Sequence, residues 1–332
     1  MDLSIIIPVY NEEANIENNY KKIKDTLNTL KRKWEVIFVN DGSTDRTNEL
    51  LEKIAKEDPH VRVVSYFPNQ GRGKALREGF KKATGNFIVT IDADLSYDPF
   101  YIKDIYKILK EENVDMVLAS PYMPGGATKN VPKFRLFLSK FGNKLLTLTF
   151  PKKIYTSTSI LRGYRKEVIE SIQPESDGKE IHLEILSKAL AMNYNIKEIP
   201  AVLTSRKKGK SKFRLKKTVA THLTFVLFEK PILIFGFLGI LLLTVGIAIS
   251  IYIVYLRFSG TLSAGRPLLS LTLMLVLGGI QLLSFGFIAI QIVVIRREIM
   301  KLHKENHKLI IDISSKKAKE EKRTKGVLSK KR

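Results

Sequence analysis

The sequence predicts an α/β head built on a mostly parallel sheet, followed by a two-helix transmembrane hairpin. Three observations predict it. Short β-branched runs alternate with helically spaced apolar residues as far as about residue 205; two long uncharged stretches follow, and basic clusters bracket them.

The strand-like runs are 3–8, 34–39, 61–66, 87–91 and 115–119, with helical periodicity in the segments between them. This βαβα order implies parallel strands with helices on both faces, and ligands then gather beyond the carboxyl ends of the strands. After Pro121 the alternation weakens into a Pro124-Gly125-Gly126 loop, a helix is expected over 133–149, and a Ser/Thr-rich stretch follows at 156–159. A further helix, Ile181–Ala191, leads to a strand over 196–203. No internal repeat is present. The first residues enter a strand directly, without the basic n-region of a signal peptide.

The uncharged runs 231–256 and 267–295 are each longer than the roughly 20 residues that cross a bilayer core, too long for a buried core helix. The 257–266 loop carries two arginines against far more basic flanks, so the positive-inside rule predicts an exported loop, with head and tail cytoplasmic. The predicted organisation is a catalytic head over 1–211, an amphipathic interfacial helix or solvated linker over 212–230, spans over 231–256 and 267–295, and a basic cytoplasmic tail over 296–332. That tail is expected to be helical to about Ile313 and disordered beyond Ser314.

Net charge is +23, which in a wholly soluble chain would point to nucleic acid. The basic residues instead cluster from Arg206 to Lys217 and from Arg296 to Arg332, on either side of the apolar runs, as anionic headgroups require. Nucleic acid is therefore not an expected partner. The absence of cysteine excludes disulfides, thiolate metal sites and cysteine nucleophiles.

Three polar clusters end predicted strands: Pro8-Val9-Tyr10-Asn11-Glu12-Glu13, Asn40-Asp41-Gly42-Ser43-Thr44-Asp45 and Asp92-Ala93-Asp94. Asp92 and Asp94 are two residues apart, so extended geometry points both carboxylates to one side, where they could share a divalent cation or cap a turn. The second cluster also fits an Asx-type turn feeding a helix capped by Ser43 or Thr44. Asn69-Gln70-Gly71-Arg72-Gly73-Lys74 is either a glycine-bearing loop before a helix or a source of amide donors and cations for a diphosphate.

In this order the pieces resemble the family 2 glycosyltransferases of GT-A fold, most closely the dolichol-phosphate mannose synthase and polyprenyl-phosphate hexose synthase group. The resemblance runs from Leu3 to about Lys217. It also rests on Arg162-Gly163-Tyr164-Arg165 and Gly209-Lys210-Ser211-Lys212. It implies an inverting enzyme that moves a hexose from a nucleotide-sugar (GDP-mannose or a UDP-glucose or UDP-GlcNAc type) to a polyprenyl or dolichyl phosphate. By that resemblance the donor site comprises Pro8, Tyr10, Glu12, Asp41, Gly42, Ser43, Arg72, Lys74, Asp92, Ala93 and Asp94. Asp92 and Asp94 would act in catalysis and hold Mg²⁺ or Mn²⁺. The acceptor site would draw on Arg135, Lys140, Arg162, Glu184, Arg206, Ser211 and Lys212. The implied partners are the nucleotide-sugar donor, the polyprenyl or dolichyl phosphate acceptor and membrane lipids, with a homo-oligomer left open.

The chain departs from the family pattern at three places. Ser120-Pro121-Tyr122 stands where relatives often have Ser-Arg-Tyr, Thr156 stands in place of an aspartate, and Ser96 in place of a glutamine after the paired aspartates. A weakened scaffold that only binds nucleotide-sugar is therefore one alternative. A processive polysaccharide synthase is the other, disfavoured because those enzymes carry Gln-x-x-Arg-Trp and the single tryptophan here is Trp34. His182 stands alone, without a second histidine at metal-ligand spacing.

Overall fold

The structure, a computed structural model, describes residues 1–132, 136–137, 139–140, 142–143, 154–204, 231–260 and 267–329. The strands are β1 (Leu3–Val9), β2 (Trp34–Asp41), β3 (Val61–Tyr66), β4 (Phe87–Thr90), β5 (Met116–Ser120), β6 (Ala127–Lys129), β7 (Arg162–Arg165), β8 (Ile196–Pro200) and β9 (Val202–Thr204). The helices are α1 (Ile16–Asn28), α2 (Thr47–Glu57), α3 (Arg72–Lys82), α4 (Tyr101–Glu111), α5 (Lys166–Ile172), α6 (Ile181–Ala191), α7 (Pro231–Phe258) and α8 (Pro267–Ser329).

Seven strands form one sheet in the order β3-β2-β1-β4-β7-β5-β8, and β6 pairs in parallel with β9. Within the large sheet only β7 runs antiparallel to its neighbours, lying between β4 and β5. The five strands read from β-branched runs stand where expected. β7 does not appear in that reading, because Arg-Gly-Tyr-Arg has neither alternation nor a β-branched residue. The strand expected over 196–203 divides after Pro200 into β8 and β9. Most of the helix expected over 133–149 lies outside the described residues.

Side-chain alternation sorts the helices onto two faces. Ile5, Ile7, Val36, Phe38, Val89 and Val117 share one buried cluster with Ile16, Tyr20, Ile23 and Leu27 of α1, Leu51 of α2, and Ile105 of α4. Ile6 points the other way, onto α3, where the helix comes so near that a Cβ at Gly79 would lie 2.4 Å from the Ile6 side chain. With both faces covered, the central strands are apolar almost throughout, as a parallel sheet requires.

Contacts divide the chain into two units, Met1–Phe213 with Met300–Arg332, and Arg214–Ile299. In the second unit α7 and the first part of α8 pack through glycines: a Cβ at Gly239 or Gly279 would lie 3.0 Å from the other's carbonyl oxygen. Many of their other apolar side chains are exposed, Phe237 being 67% and Phe287 62% exposed, unlike those of a core helix. Ile234–Phe258 and Pro267–His307 are long and apolar enough to cross a membrane.

α8 continues to Ser329, which corrects the expected disorder after Ser314. The Ala, Glu and Lys of that stretch are strong helix formers, and they outweigh its high charge. Earlier in α8, the Lys304 ammonium donates to Met192 O (2.7 Å) and lies 3.7 Å above the Tyr194 ring, meeting the carbonyls that end α6.

Candidate active site

The carboxyl ends of β1, β2 and β4 carry the three polar clusters to one edge of the sheet, since these strands are parallel neighbours in register. The first two turns are sewn together. Asn11, at φ +52°, accepts from Thr44 N (2.8 Å), its own amide donates to Ser43 Oγ (3.0 Å), and Glu12 N donates to Thr47 Oγ1 (2.9 Å). The cap expected of Ser43 or Thr44 is not made: the N-cap of α2 is Arg46, without a side-chain cap, and Asp45 Oδ1 just ahead of it accepts from Thr47 N (3.0 Å). Pro8 and Tyr10 keep exposed surface, whereas Glu12 is buried and accepts from Asn15 Nδ2 (3.1 Å).

Asp41 has a different task from the one the resemblance implies. Its Oδ1 accepts from Gln70 N (2.8 Å) and Gly71 N (3.1 Å), its Oδ2 accepts from Asn69 Nδ2 (2.8 Å), and it is 4% exposed. The carboxylate is the anchor of the 69–71 loop. Gly42 makes this possible: at φ +66°, a Cβ there would stand 2.5 Å from Asn69 N. Burial and the Asp41 charge push the neighbouring Tyr66 phenol well above its usual range.

The same loop was expected to offer its amides to a diphosphate, and those amides are engaged within the protein. Gly73 N and Lys74 N both donate to Asp177 O (2.7 and 3.1 Å). Lys74 turns along α3 to pair with Glu78 (2.9 Å). Arg72 is aimed at the third cluster, with a guanidinium nitrogen 2.9 Å from Asp92 Oδ1.

Asp92 and Asp94 follow β4, in a turn that α1 holds through Asn19 Nδ2 to Ala93 O (2.7 Å). Asp94 Oδ1 accepts from both the amide (3.0 Å) and hydroxyl (2.7 Å) of Ser96. Ser96 thus holds the carboxylate with both its main chain and its side chain. Among the described residues no group of three or more acidic or histidine side chains could hold a metal ion. A cation here would be held by two carboxylates, which suits Mg²⁺ or Mn²⁺ completed by phosphate oxygens. The donor set therefore fits a metal that arrives with a diphosphate.

Two expected acceptor contacts are structural. Arg162, with no exposed surface, donates from Nε to Ser159 O (2.6 Å), and from its terminal nitrogens to His182 O (2.7 Å) and Ser157 O (2.5 Å). The guanidinium braces the 157–162 segment against α6 and is out of an acceptor's reach. Glu184 accepts from Glu175 N (2.9 Å) and Ser176 N (2.8 Å), and pairs with Lys188 (2.7 Å). It holds the loop whose Asp177 carbonyl grips α3. Against the cost of burial, these donors keep its carboxyl below the usual range. Lys140 is exposed; Arg135, Arg206, Ser211 and Lys212 lie outside the described residues.

His182 is buried, and neither ring nitrogen meets a partner among the described residues. Burial first, then the Arg162 charge, holds the ring neutral. Glu198 of β8 is the side chain the sequence reading missed: it accepts from Tyr155 N (2.7 Å) and Thr156 N (2.9 Å), and burial pushes its pKa up. Its carboxylate therefore stands beside Thr156. The strand carries Lys197 and Glu198 side by side, the first exposed and the second half-buried, and the sequence has no mark that tells the two apart.

The family described as glycosyl transferase family 2 matches residues 4–173, just over half the chain, and the protein belongs to it. Its fold is that of a GT-A glycosyltransferase, and within the family its similarity is to the dolichol-phosphate mannose synthase group. A dolichol-phosphate mannosyltransferase of Pyrococcus furiosus is 32% identical over 68% of this chain, and the matched region spans 63% of that relative's length. The undecaprenyl-phosphate 4-deoxy-4-formamido-L-arabinose transferase of Salmonella choleraesuis is 27% identical over 77% of each chain. Glucosyl-3-phosphoglycerate synthase of Mycobacterium tuberculosis, solved with Mn²⁺, UDP and phosphoglyceric acid, shares the fold. Its TM-score is 0.53 at 21% identity, covering 69% of this chain and 78% of that one.

Proposed function

We propose that this glycosyltransferase moves a hexose from a nucleotide-sugar to a polyprenyl or dolichyl phosphate, with inversion at the anomeric carbon. The observation that carries the reading is a hydrogen bond from Thr204 N to Ser96 O (2.8 Å). It brings Thr204, which precedes the basic 206–217 run in sequence, beside the turn that holds Asp94, and this supports a reading in which acceptor cations serve the donor carboxylates. The relatives named for dolichyl and undecaprenyl phosphate acceptors support the same assignment.

The acceptor phosphate has a second pKa near 6, so at neutral pH it needs little help from a general base. Its oxygen bonds to the anomeric carbon as the bond from that carbon to the diphosphate breaks, and the electron pair leaves with the nucleoside diphosphate. A divalent cation, when bound, supplies Lewis-acid neutralisation of that leaving group. Asp92 and Asp94 would hold it, Pro8 and Tyr10 would border the nucleoside, and Lys140, Arg135, Arg206, Ser211 and Lys212 would receive the lipid phosphate. The protein's contribution is mainly positioning and charge neutralisation. By the positive-inside rule, head and tail lie on the cytoplasmic side.

Membranes containing the protein, given Mg²⁺ or Mn²⁺, polyprenyl phosphate and labelled GDP-mannose, UDP-glucose or UDP-GlcNAc, should form an organic-extractable, mild-acid-labile product. Asp94→Asn should lower the rate by about 100-fold or more, as loss of a charge-stabilising group in a dry site does. No lipid product from any of the three donors would overturn the proposal.

A further inference from the structure

We propose that Arg72 competes with the divalent cation for Asp92, so that metal binding at Asp92 and Asp94 is tied to the arrival of a nucleoside diphosphate. This inference rests on the donor-site reading above and adds an order of events to it.

The main chain around Arg72 is fixed from both sides. Gly71 N is held by Asp41, and Gly73 N and Lys74 N are held by Asp177 O. The approach at Gly73 is so close that a Cβ there would stand 2.3 Å from Ser176 O. Arg77 secures the far side of this clasp, donating to Glu175 O (2.7 Å) and Asp177 Oδ1 (2.5 Å). The anchored backbone therefore delivers the Arg72 side chain to Asp92.

That side chain pairs with Asp92 Oδ1 at 2.9 Å, with side-chain exposures of 31% and 17%. A metal ion shared by Asp92 and Asp94 needs the same carboxylate, and its charge repels a guanidinium at that distance. Both cannot hold Asp92 on equal terms. A diphosphate changes the balance, because its oxygens offer the guanidinium a bidentate anion and offer the metal its missing ligands. By linkage, nucleotide and metal must then strengthen each other's binding by equal factors.

The test is Mn²⁺ binding to the full-length protein in detergent, with free Mn²⁺ followed by its electron paramagnetic resonance signal, without nucleotide and with UDP or GDP. Without nucleotide, Arg72→Met should bind Mn²⁺ at least about fivefold more tightly than wild type, the scale of a partly exposed ion pair. Arg72→Lys, which keeps the charge, should stay within about twofold of wild type. UDP or GDP should tighten Mn²⁺ binding in wild type more than in Arg72→Met. Equal nucleotide-free affinity in wild type and Arg72→Met overturns the inference. So does a wild-type Mn²⁺ affinity that neither UDP nor GDP changes, a result that needs no variant to fold. Circular dichroism checks the variants, with Arg72→Gln as the second neutral replacement. A wild type that makes lipid-linked sugar yet shows either result loses only this inference, whereas Mn²⁺ binding without any transfer overturns the functional reading beneath it.

Discussion

Replacing Asp41 with asparagine separates a loop anchor from a ligand contact. Both carboxylate oxygens accept: Gln70 N and Gly71 N at Oδ1, Asn69 Nδ2 and again Gly71 N (3.0 Å) at Oδ2. A carboxamide has one acceptor, so in either orientation its NH₂ faces donors that are already buried. Hydrogen bonds to a charged acceptor contribute about 1.5–3 kcal/mol each, and a buried donor left without a partner costs about 1–3 kcal/mol, so a loss of about 3 kcal/mol is expected. In a domain of this size that corresponds to a drop in Tm of roughly 6–12 °C. If the loosening stays local, the amides of the 69–74 loop should exchange with deuterium about 100-fold faster. Hydrogen-exchange mass spectrometry and a thermal scan of the full chain in detergent measure the two effects. An Asp41→Asn protein that melts and exchanges like wild type, yet no longer binds nucleotide, would refute the anchoring role and return Asp41 to the nucleoside.

Two further outcomes follow from interactions away from the donor edge. Asp58 is buried, yet its bonds to Lys24 (2.6 Å), Tyr20 (2.7 Å) and His60 outweigh desolvation and hold its carboxyl far below the usual range. A depressed folded pKa gives stability that is present above about pH 4 and lost as the pH falls further, so Asp58→Asn should flatten the fall in Tm below pH 4. An acid limb as steep as that of wild type would contradict this. At the glycine contact between α7 and α8, Gly279→Leu should weaken the helix pair by about 1–3 kcal/mol, because its Cβ meets Gly239 O at 3.0 Å. Limited proteolysis in detergent reports the change, and unaltered digestion would count against close packing there.

The sheet was legible where a strand carries its own signature. β1 to β5 are β-branched runs, and their parallel order followed from the helices between them. β7 was not legible, because Gly163 and Tyr164 become strand only through pairing with β4 and β5, a long-range cause with no local mark. The site divides in the same way. Spacing alone brings Asp92 and Asp94 together, but the extended geometry expected of them gives way to a turn after β4, where Leu95 N donates to Asp92 O (3.2 Å), and nothing in the sequence marks which partner each carboxylate takes. Asp41 and Arg162 are both charged residues beside functional motifs, and the sequence cannot distinguish a charge facing a ligand from one turned inward onto main-chain groups. Glu198 shows the reverse error, a charge passed over because it lay within a strand. Only packing reveals which polar groups a buried side chain must satisfy.

The position of β7 also matters for the nascent chain. β4, which leads into the turn of Asp92 and Asp94, has its outer edge covered by β7, which follows it in sequence only after β5 and β6. Until Arg165 has been synthesised, β4 and β5 each offer an unpaired row of backbone donors and acceptors, an invitation to strands of other chains. A product truncated between Ser120 and Arg162 would keep both edges open and should self-associate, and the strand that leads into the Asp92–Asp94 turn gains its second neighbour only after translation has passed β7.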